Sequence, residues 1–147
     1  MIIDANGFQL HFEERGDGGP LLLLHGGGGS GADWHHVFTA GDPDGFRLLI
    51  PDGRGHGRST NPLRTFTLRL AARDAFALLD HLGITYVDAI GLSLGAKTLL
   101  AAYPSRSTWA GSIFDARYAG SHPASAATAV NVIAAPASVA GSRGARP

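Results

Sequence analysis

Ser93 lies in the pentapeptide GLSLG, between Gly91 and Gly95. The residues before it, YVDAI, predict a β-strand, and the residues after it, AKTLLAAY, predict a helix. A serine at such a tight turn projects its hydroxyl above the edge of the sheet, and the two glycines let the neighbouring backbone pass without collision. Because the N-terminus of the following helix stabilises a developing anion, the pattern predicts Ser93 as a nucleophile.

A glycine-rich loop follows the apolar run LLLL of residues 21–24, and its sequence HGGGGSG is compatible with two kinds of site. Three of its glycines fit G-x-G-x-x-G: Gly26, Gly28 and Gly31. Asp52 lies about 20 residues beyond the last of them, where an acidic residue would bind the ribose of a dinucleotide. A His-Gly pair directly after a strand is also typical of a loop that stabilises an oxyanion.

The serine turn favours the oxyanion loop over the dinucleotide site. An oxyanion hole takes one N–H group from the residue after the nucleophile, here Leu94, and one from the loop after an earlier strand, here near Gly26 or Gly27. Both loops would lie at the carboxyl edge of one parallel sheet, where such sheets bind ligands. The dinucleotide alternative requires the serine turn to be a coincidence.

A phosphate-binding loop is a third, weaker alternative. The sequence GLSLGAKT departs from G-x-x-x-x-G-K-[ST] at one position, where Ala96 replaces the glycine before Lys97. The segment SIFD at 112–115 is compatible with an apolar run that ends in a magnesium-binding aspartate. The missing glycine normally gives backbone close access to phosphate, so its absence disfavours nucleotide binding.

The chain around these motifs alternates strands and helices. Two extended runs on either side of Asn6-Gly7 predict an N-terminal hairpin over residues 2–14. The later elements are expected as strand 21–24, helix 32–40, strand 46–50, helix 67–82, strand 84–90 and helix 93–103. This order predicts an α/β fold, with a mostly parallel sheet, an antiparallel N-terminal hairpin and flanking helices.

Three motifs occur in a fixed order along this framework: HGGGGSGADW after one strand, PDGRGHGRS after the next, and GLSLG after the third. In these motifs and their order the chain resembles the α/β-hydrolase fold family, serine esterases and lipases in particular, over about residues 1–103. The resemblance implies that Ser93 is the nucleophile and that Gly27 and Leu94 donate to the oxyanion. It implies structural functions for five further residues: His25, Gly26, His56, Gly91 and Gly95.

The resemblance also raises the question of the acid and the base. Family members carry serine, then an acid, then histidine in chain order. Asp115 is a candidate acid, although an aspartate at a strand end is more often structural. His122 is the only histidine after Ser93 and is expected to be exposed, and His56 could reach the serine from its loop at the same sheet edge. We therefore expect no secure base, and a catalytically inactive fragment is the alternative to an enzyme.

The composition changes after about Pro104, where Ala, Ser, Gly, Pro and Arg dominate and Asp115 is the only acid. This predicts a core over residues 1–103 and a tail over 104–147, with one possible strand at 111–115 and disorder beyond it. Such a tail is expected when a family member is truncated, or read out of frame, after about residue 103.

Composition excludes several classes of function. The chain has 147 residues, a formal net charge of zero and no cysteine. These features exclude disulfides and a thiol nucleophile, and they predict neither a nucleic acid nor a membrane as partner. No histidine or carboxylate cluster suggests a metal, and no signal segment or long apolar run is visible. We therefore predict a cytoplasmic protein of one domain that requires no cofactor.

The activity that the resemblance implies is hydrolysis of an ester-like bond in a small molecule. Members with the same serine turn also act on thioesters, peptides or carbon–carbon bonds. A serine at position 93 disfavours members that use aspartate, such as epoxide hydrolases. In the family that the chain resembles, the segments that determine substrate specificity follow the sixth strand.

Loss of the later strands would leave the strand over 84–90 as a nearly bare apolar edge, which favours association. We therefore predict self-association or poor solubility of the purified chain. Light scattering measures this directly, and a monodisperse monomer would contradict it.

Overall fold

The computed structural model describes residues 1–102 and the short segment 127–129. Six strands form one mixed sheet in the order β1-β2-β4-β3-β5-β6. The strands are β1 (Ile2–Ala5), β2 (Phe8–Arg15), β3 (Gly19–Leu24), β4 (Phe46–Pro51), β5 (Asp88–Leu92) and β6 (Ala127–Ala129). Central β3 pairs in parallel with both β4 and β5, whereas the hairpin joins the sheet through antiparallel pairing of β2 with β4. The α/β class with an N-terminal hairpin is confirmed.

The hairpin turn follows from its two central residues. Asn6 and Gly7 have φ values of +50° and +80°. Positive φ at both central positions is the requirement of a type I′ turn, whose twist matches that of the flanking strands. The turn sets the register, in which Ala5 lies opposite Phe8.

Three helices connect the strands: α1 (Trp34–Val37), α2 (Leu68–His81) and α3 (Leu94–Ala102), with a 3₁₀ turn over Gly31–Asp33 before α1. The Thr67 hydroxyl caps α2 by accepting a hydrogen bond from the Leu70 amide at 3.1 Å. Gly83 lies just beyond the helix with φ of +67°, the conformation of a helix terminator.

Two apolar clusters cover the two faces of the sheet. Residues of the hairpin, β3, β4, β5, α2 and α3 form the larger one, which includes the almost completely buried Phe12, Leu49 and Leu78. The smaller cluster surrounds Trp34, which is 1% exposed, on the opposite face. The central strands are therefore buried on both sides, as their uninterrupted apolar runs predict.

The strand expected over 84–90 is shifted along the chain. β5 starts at Asp88 and continues to Leu92. The reason is local, because the Ile84 amide bonds the Leu79 carbonyl of α2 at 2.9 Å, so Ile84 belongs to the C-terminal cap of that helix. The start of the predicted strand is wrong by four residues.

The edge of β5 that we expected to be nearly bare is occupied in part. β6 pairs antiparallel with Ile90–Leu92, and it lies in the tail. The strand expected over 111–115 lies outside the described residues. Self-association through this edge stays a prediction. Among the helices of the described segments, none combines the length and the apolar character needed to cross a bilayer.

A buried ion pair joins α2 to the loop after β4. Arg54 donates two hydrogen bonds to Asp74, from Nε to Oδ2 at 2.9 Å and from a terminal guanidinium nitrogen to Oδ1 at 2.8 Å. Both side chains are at most 5% exposed. Asn6 donates to the same Asp74 Oδ1 at 2.9 Å, and the Arg54 guanidinium lies 4.3 Å from the centre of the Phe8 ring. The pair therefore ties the loop, the helix and the hairpin together, and sequence inspection missed it.

We predict that Asp74→Ala lowers the free energy of unfolding by about 3–5 kcal/mol, because it leaves the buried Arg54 guanidinium without its anion. Urea titration measures the change. Glu13→Ala serves as control, since its partner Arg58 is 63% exposed and such surface pairs contribute about 1 kcal/mol or less. Equal losses for the two variants would contradict the assignment.

Candidate active site

Ser93 lies between the last residue of β5 and the first residue of α3. Its φ of +47° is in the left-handed region, which is strained for a residue with a side chain. The glycines on both sides of Ser93 make this turn possible. A Cβ at position 91 would collide with the backbone of Ala96, and a Cβ at position 95 would collide with the Leu24 carbonyl. Glycine at both positions therefore allows α3 to pack directly over β5 and β3, and the side chain of Ser93 is exposed.

The glycine loop lies against this turn. A Cβ built on Gly26 would be 3.9 Å from the Ser93 Cβ, and one built on Gly27 would be 3.5 Å from Cδ2 of Leu94. The loops after β3 and β5 therefore meet at one edge of the sheet. The juxtaposition that the sequence predicts is present.

Two backbone amides at this meeting point have no partner. Within the described residues, neither the Gly27 N–H nor the Leu94 N–H donates a hydrogen bond. The Gly26 carbonyl, in contrast, accepts from the Gly29 amide at 3.2 Å and from the His25 Nδ1 at 2.7 Å. A carbonyl and the next amide belong to one planar trans peptide and point in opposite directions. Holding the Gly26 carbonyl therefore sets the direction of the Gly27 N–H.

Both ring nitrogens of His25 are hydrogen-bonded to backbone groups. Nε2 accepts a hydrogen bond from the Gly53 amide at 2.9 Å, which leaves the proton on Nδ1, where it is donated to the Gly26 carbonyl. Burial lowers the pKa of His25 and outweighs the opposing bond to Gly26. The imidazole is therefore neutral, and it has no free lone pair with which to act as a base for Ser93.

The profile of the alpha/beta hydrolase fold family matches residues 19–107, more than half of the chain. This chain belongs to the α/β-hydrolase fold family. It is 38% identical over 92 residues to a soluble epoxide hydrolase from Corynebacterium sp. (strain C12), and the match covers 63% of this chain and 32% of that one. It is 31% identical to 2-hydroxy-6-oxo-6-phenylhexa-2,4-dienoate hydrolase from Comamonas testosteroni, over 70% of this chain and 38% of the relative.

A solved family structure agrees with the fold. The epoxide hydrolase CorEH without ligand superposes with a TM-score of 0.66 at 36% identity, and the match covers 72% of this chain and 38% of CorEH. The chain therefore spans about a third of the length of these relatives. The serine at position 93 leads us to expect a relative other than an epoxide hydrolase. Epoxide hydrolases are nevertheless among the family members that this chain matches.

None of the described histidines is hydrogen-bonded to Ser93. In the part of the chain that the structure describes, the Ser93 hydroxyl makes no hydrogen bond. His56 is half-buried and its Nδ1 donates to the Arg54 carbonyl at 3.0 Å, with its ring centre 5.1 Å from that of His25. Asp115 and His122 lie outside the described residues.

The carboxylate of Asp52 is enclosed, not free for a ligand. Oδ1 accepts from the Gly31 amide at 2.7 Å, and Oδ2 accepts from the Arg58 amide at 2.9 Å. Burial by itself would raise the pKa of Asp52, but these amide bonds, with the nearby His11 and Arg58, outweigh it and hold the pKa below its usual range. Asp52 is 3% exposed and both of its oxygens face backbone amides, so a ribose hydroxyl has no access to it, and the structure does not support the dinucleotide alternative.

The phosphate-loop alternative also fails. A P-loop must present several backbone amides around a phosphate and a free hydroxyl for magnesium. Here the segment after Ser93 is helical from its first residue, and the Thr98 hydroxyl donates back to the Leu94 carbonyl at 3.0 Å. No group of three histidine or acidic side chains that could hold a metal ion occurs among residues 1–102.

A cleft of predominantly apolar character opens behind the serine turn. Its walls come from the hairpin, β3, the loop after β4, α2 and α3, and its apolar side chains include Leu10, Leu24, Phe66, Ala71, Ala75 and Leu94. Three charged residues line the cleft: Arg54 and Asp74 form an ion pair, and the carboxylate of Asp52 accepts from the amides of Gly31 and Arg58. The rest of the cleft offers a mostly apolar surface next to the candidate oxyanion donors.

Protonation of His25 is expected to destabilise the fold, because a protonated Nε2 cannot accept the Gly53 N–H. Its folded pKa is lowered from 6.5, so its contribution is complete above about pH 6.5 and is lost as the pH falls through the folded value. We predict that the free energy of unfolding, measured by urea titration, declines below about pH 6.5 and that His25→Gln flattens this decline.

His11, which burial also shifts to a lower pKa, contributes in the same direction, so the slope is reduced and not abolished. The carboxylate of Asp52 affects the free energy of unfolding in a separate pH range, below about pH 4. His36→Gln on the exposed face of α1 is the control. A His25→Gln profile parallel to that of the control would contradict the prediction.

Proposed function

We propose that this chain carries the nucleophile and the oxyanion-binding half of a serine hydrolase that acts on an ester-like bond of a small, uncharged molecule. The observation that carries the proposal is the placement of the amides of Gly27 and Leu94, which have no partner among the described residues, beside a serine on a strained strand-to-helix turn. Amides aimed at a developing oxyanion are a large contribution to acyl transfer.

In the proposed reaction the Ser93 oxygen attacks the carbonyl carbon and loses its proton to a base. The carbonyl oxygen becomes an anion that accepts hydrogen bonds from the amides of Gly27 and Leu94. Its collapse expels the alcohol and leaves an acyl ester on Ser93, which water then hydrolyses by the same steps. The apolar cleft next to Leu94 suits an uncharged group of the substrate. The chemistry requires no cofactor.

The choice of a carbonyl substrate over an epoxide rests on the chemistry of the intermediate. Attack by the Ser93 hydroxyl on an epoxide carbon would form an ether, and water has no carbonyl at which to cleave it. Attack on an ester forms a new ester, which water cleaves. The name of the Comamonas testosteroni relative, which describes a 6-oxo dienoate, supports a carbonyl substrate, whereas that of the Corynebacterium relative supports an epoxide.

A chain that binds the substrate without turnover is the second candidate. It is favoured by a specific observation: in residues 1–102 no histidine is hydrogen-bonded to Ser93. A serine without a base keeps its proton and is a weak nucleophile. Loss of a triad member leaves about 10³–10⁴-fold acceleration over water in the enzymes where this has been measured.

We expect a fluorophosphonate probe to label wild-type protein at Ser93 and p-nitrophenyl acetate to be hydrolysed faster than by buffer. Ser93→Ala should abolish labelling and return hydrolysis to the background rate, because both depend on the same oxygen. Thr39→Ala, which removes an exposed hydroxyl outside the glycine loop and the serine turn, is the matched control. Labelling without turnover would favour the second candidate, and hydrolysis that exceeds the buffer rate equally in wild type and Ser93→Ala would refute Ser93 as the nucleophile.

A further inference from the structure

Both ends of the glycine loop are bound by two consecutive residues of the loop after β4. At its carboxyl end, the Gly31 amide donates to Asp52 Oδ1 at 2.7 Å. At its amino end, His25 Nε2 accepts from the Gly53 amide at 2.9 Å. We propose that Asp52 is a positioning residue for the oxyanion-binding amide of Gly27, acting through Gly31, and this inference rests on the proposed function.

The bond between Asp52 and Gly31 is rigid on both sides. Asp52 is 3% exposed, and its other oxygen is held by the Arg58 amide at 2.9 Å. Its own amide donates to the His11 carbonyl at 2.8 Å, and its carbonyl accepts from the Ser59 hydroxyl at 2.6 Å. Bonds to residues outside the glycine loop therefore hold both the backbone and the carboxylate of Asp52 in place.

The space around this contact leaves no alternative position for either partner. A Cβ on Gly31 would approach Cγ2 of Ile50 to 3.0 Å and Asp52 Oδ1 to 3.2 Å. Gly57 has φ of +50°, and a Cβ there would collide with the Asp52 carboxylate. Because Gly31 and the carboxylate are both enclosed, displacement of one displaces the other.

The constraint reaches Gly27 through a short turn. The Gly29 amide bonds the Gly26 carbonyl at 3.2 Å, so residues 26–29 close on themselves between the two anchored ends. The peptide that joins Gly26 to Gly27 lies inside this turn, and its carbonyl is also held by His25. Release of the end at Gly31 would free the turn to rotate, and with it the direction of the Gly27 N–H.

The contact requires a carboxylate and not an amide of the same shape. An asparagine can accept one of the two amide bonds, but its NH₂ group would then face the N–H of Gly31 or of Arg58. The Arg58 guanidinium also favours an anion, since its Nε lies 3.8 Å from Oδ2, and His11 Nδ1 lies 3.2 Å from the same oxygen. Asp52→Asn therefore disturbs the amide bonds to Gly31 and Arg58 with almost no change in side-chain volume.

The first measurement is independent of activity. Selective ¹⁵N labelling of the 21 glycines reports the amides of the loop directly. We expect Asp52→Asn to move the resonances of Gly27 and Gly31, whereas Asp44→Asn, which makes the same change at an exposed carboxylate, should leave both unchanged. Unchanged Gly27 and Gly31 resonances in folded Asp52→Asn would overturn the inference.

The second measurement separates positioning from stability. In folded Asp52→Asn we expect kcat for p-nitrophenyl acetate and the rate of phosphonylation at Ser93 to fall by about 10–100-fold, less than or equal to the loss from removing an oxyanion donor outright. KM should stay within about twofold, because only the transition state carries the oxyanion. A rise in KM at unchanged kcat would overturn the inference.

Gly31→Ala replaces Asp52→Asn if the latter does not fold, since it displaces the same amide and keeps the carboxylate. We expect the same shift at Gly27 and the same fall in kcat, and combination of the two substitutions should give less than the product of the separate effects. Multiplicative effects would overturn the inference. If wild-type protein is not labelled at Ser93, the proposed function fails, whereas the glycine resonances still decide whether Asp52 positions the loop.

Discussion

The close packing of α3 onto β3 and β5 is the constraint on which the site depends. It is possible only because positions 91 and 95 lack a Cβ, and it forces Ser93 into the left-handed region at φ of +47°. A strained conformation persists when its surroundings determine it from several sides. This one turn gives the exposed side chain of Ser93 and the Leu94 amide, which makes no hydrogen bond within residues 1–102.

Parallel pairing of β3 with β5 places the glycine loop next to the serine turn. β3 runs parallel to β5 and next to it, so the loops that follow the two strands leave the sheet at the same edge. The loop after β4 leaves there too and holds the glycine loop from outside, through Asp52 and Gly53. The three family motifs are thus three consecutive loops of one sheet edge, and the segment that matches the family contains all of them.

Local patterns were sufficient for much of the framework. The hairpin turn at Asn6-Gly7 and the serine turn each depend on a few adjacent residues, and each is present as predicted. The start of β5 was not predictable in this way, because the apolar run from Ile84 supports either a strand or the end of a helix. The bond from the Ile84 amide to Leu79 selects the latter.

The sequence by itself determined the elements, their order and the family, because backbone preferences and apolar periodicity act over short distances along the chain. Only the tertiary structure decided what the buried polar groups do. Arg54 and Asp74 are 20 residues apart and Asp52 and Gly31 are 21 residues apart, yet each pair is joined by hydrogen bonds. A buried charge must find its partner wherever the fold places one, and no local spacing specifies that choice.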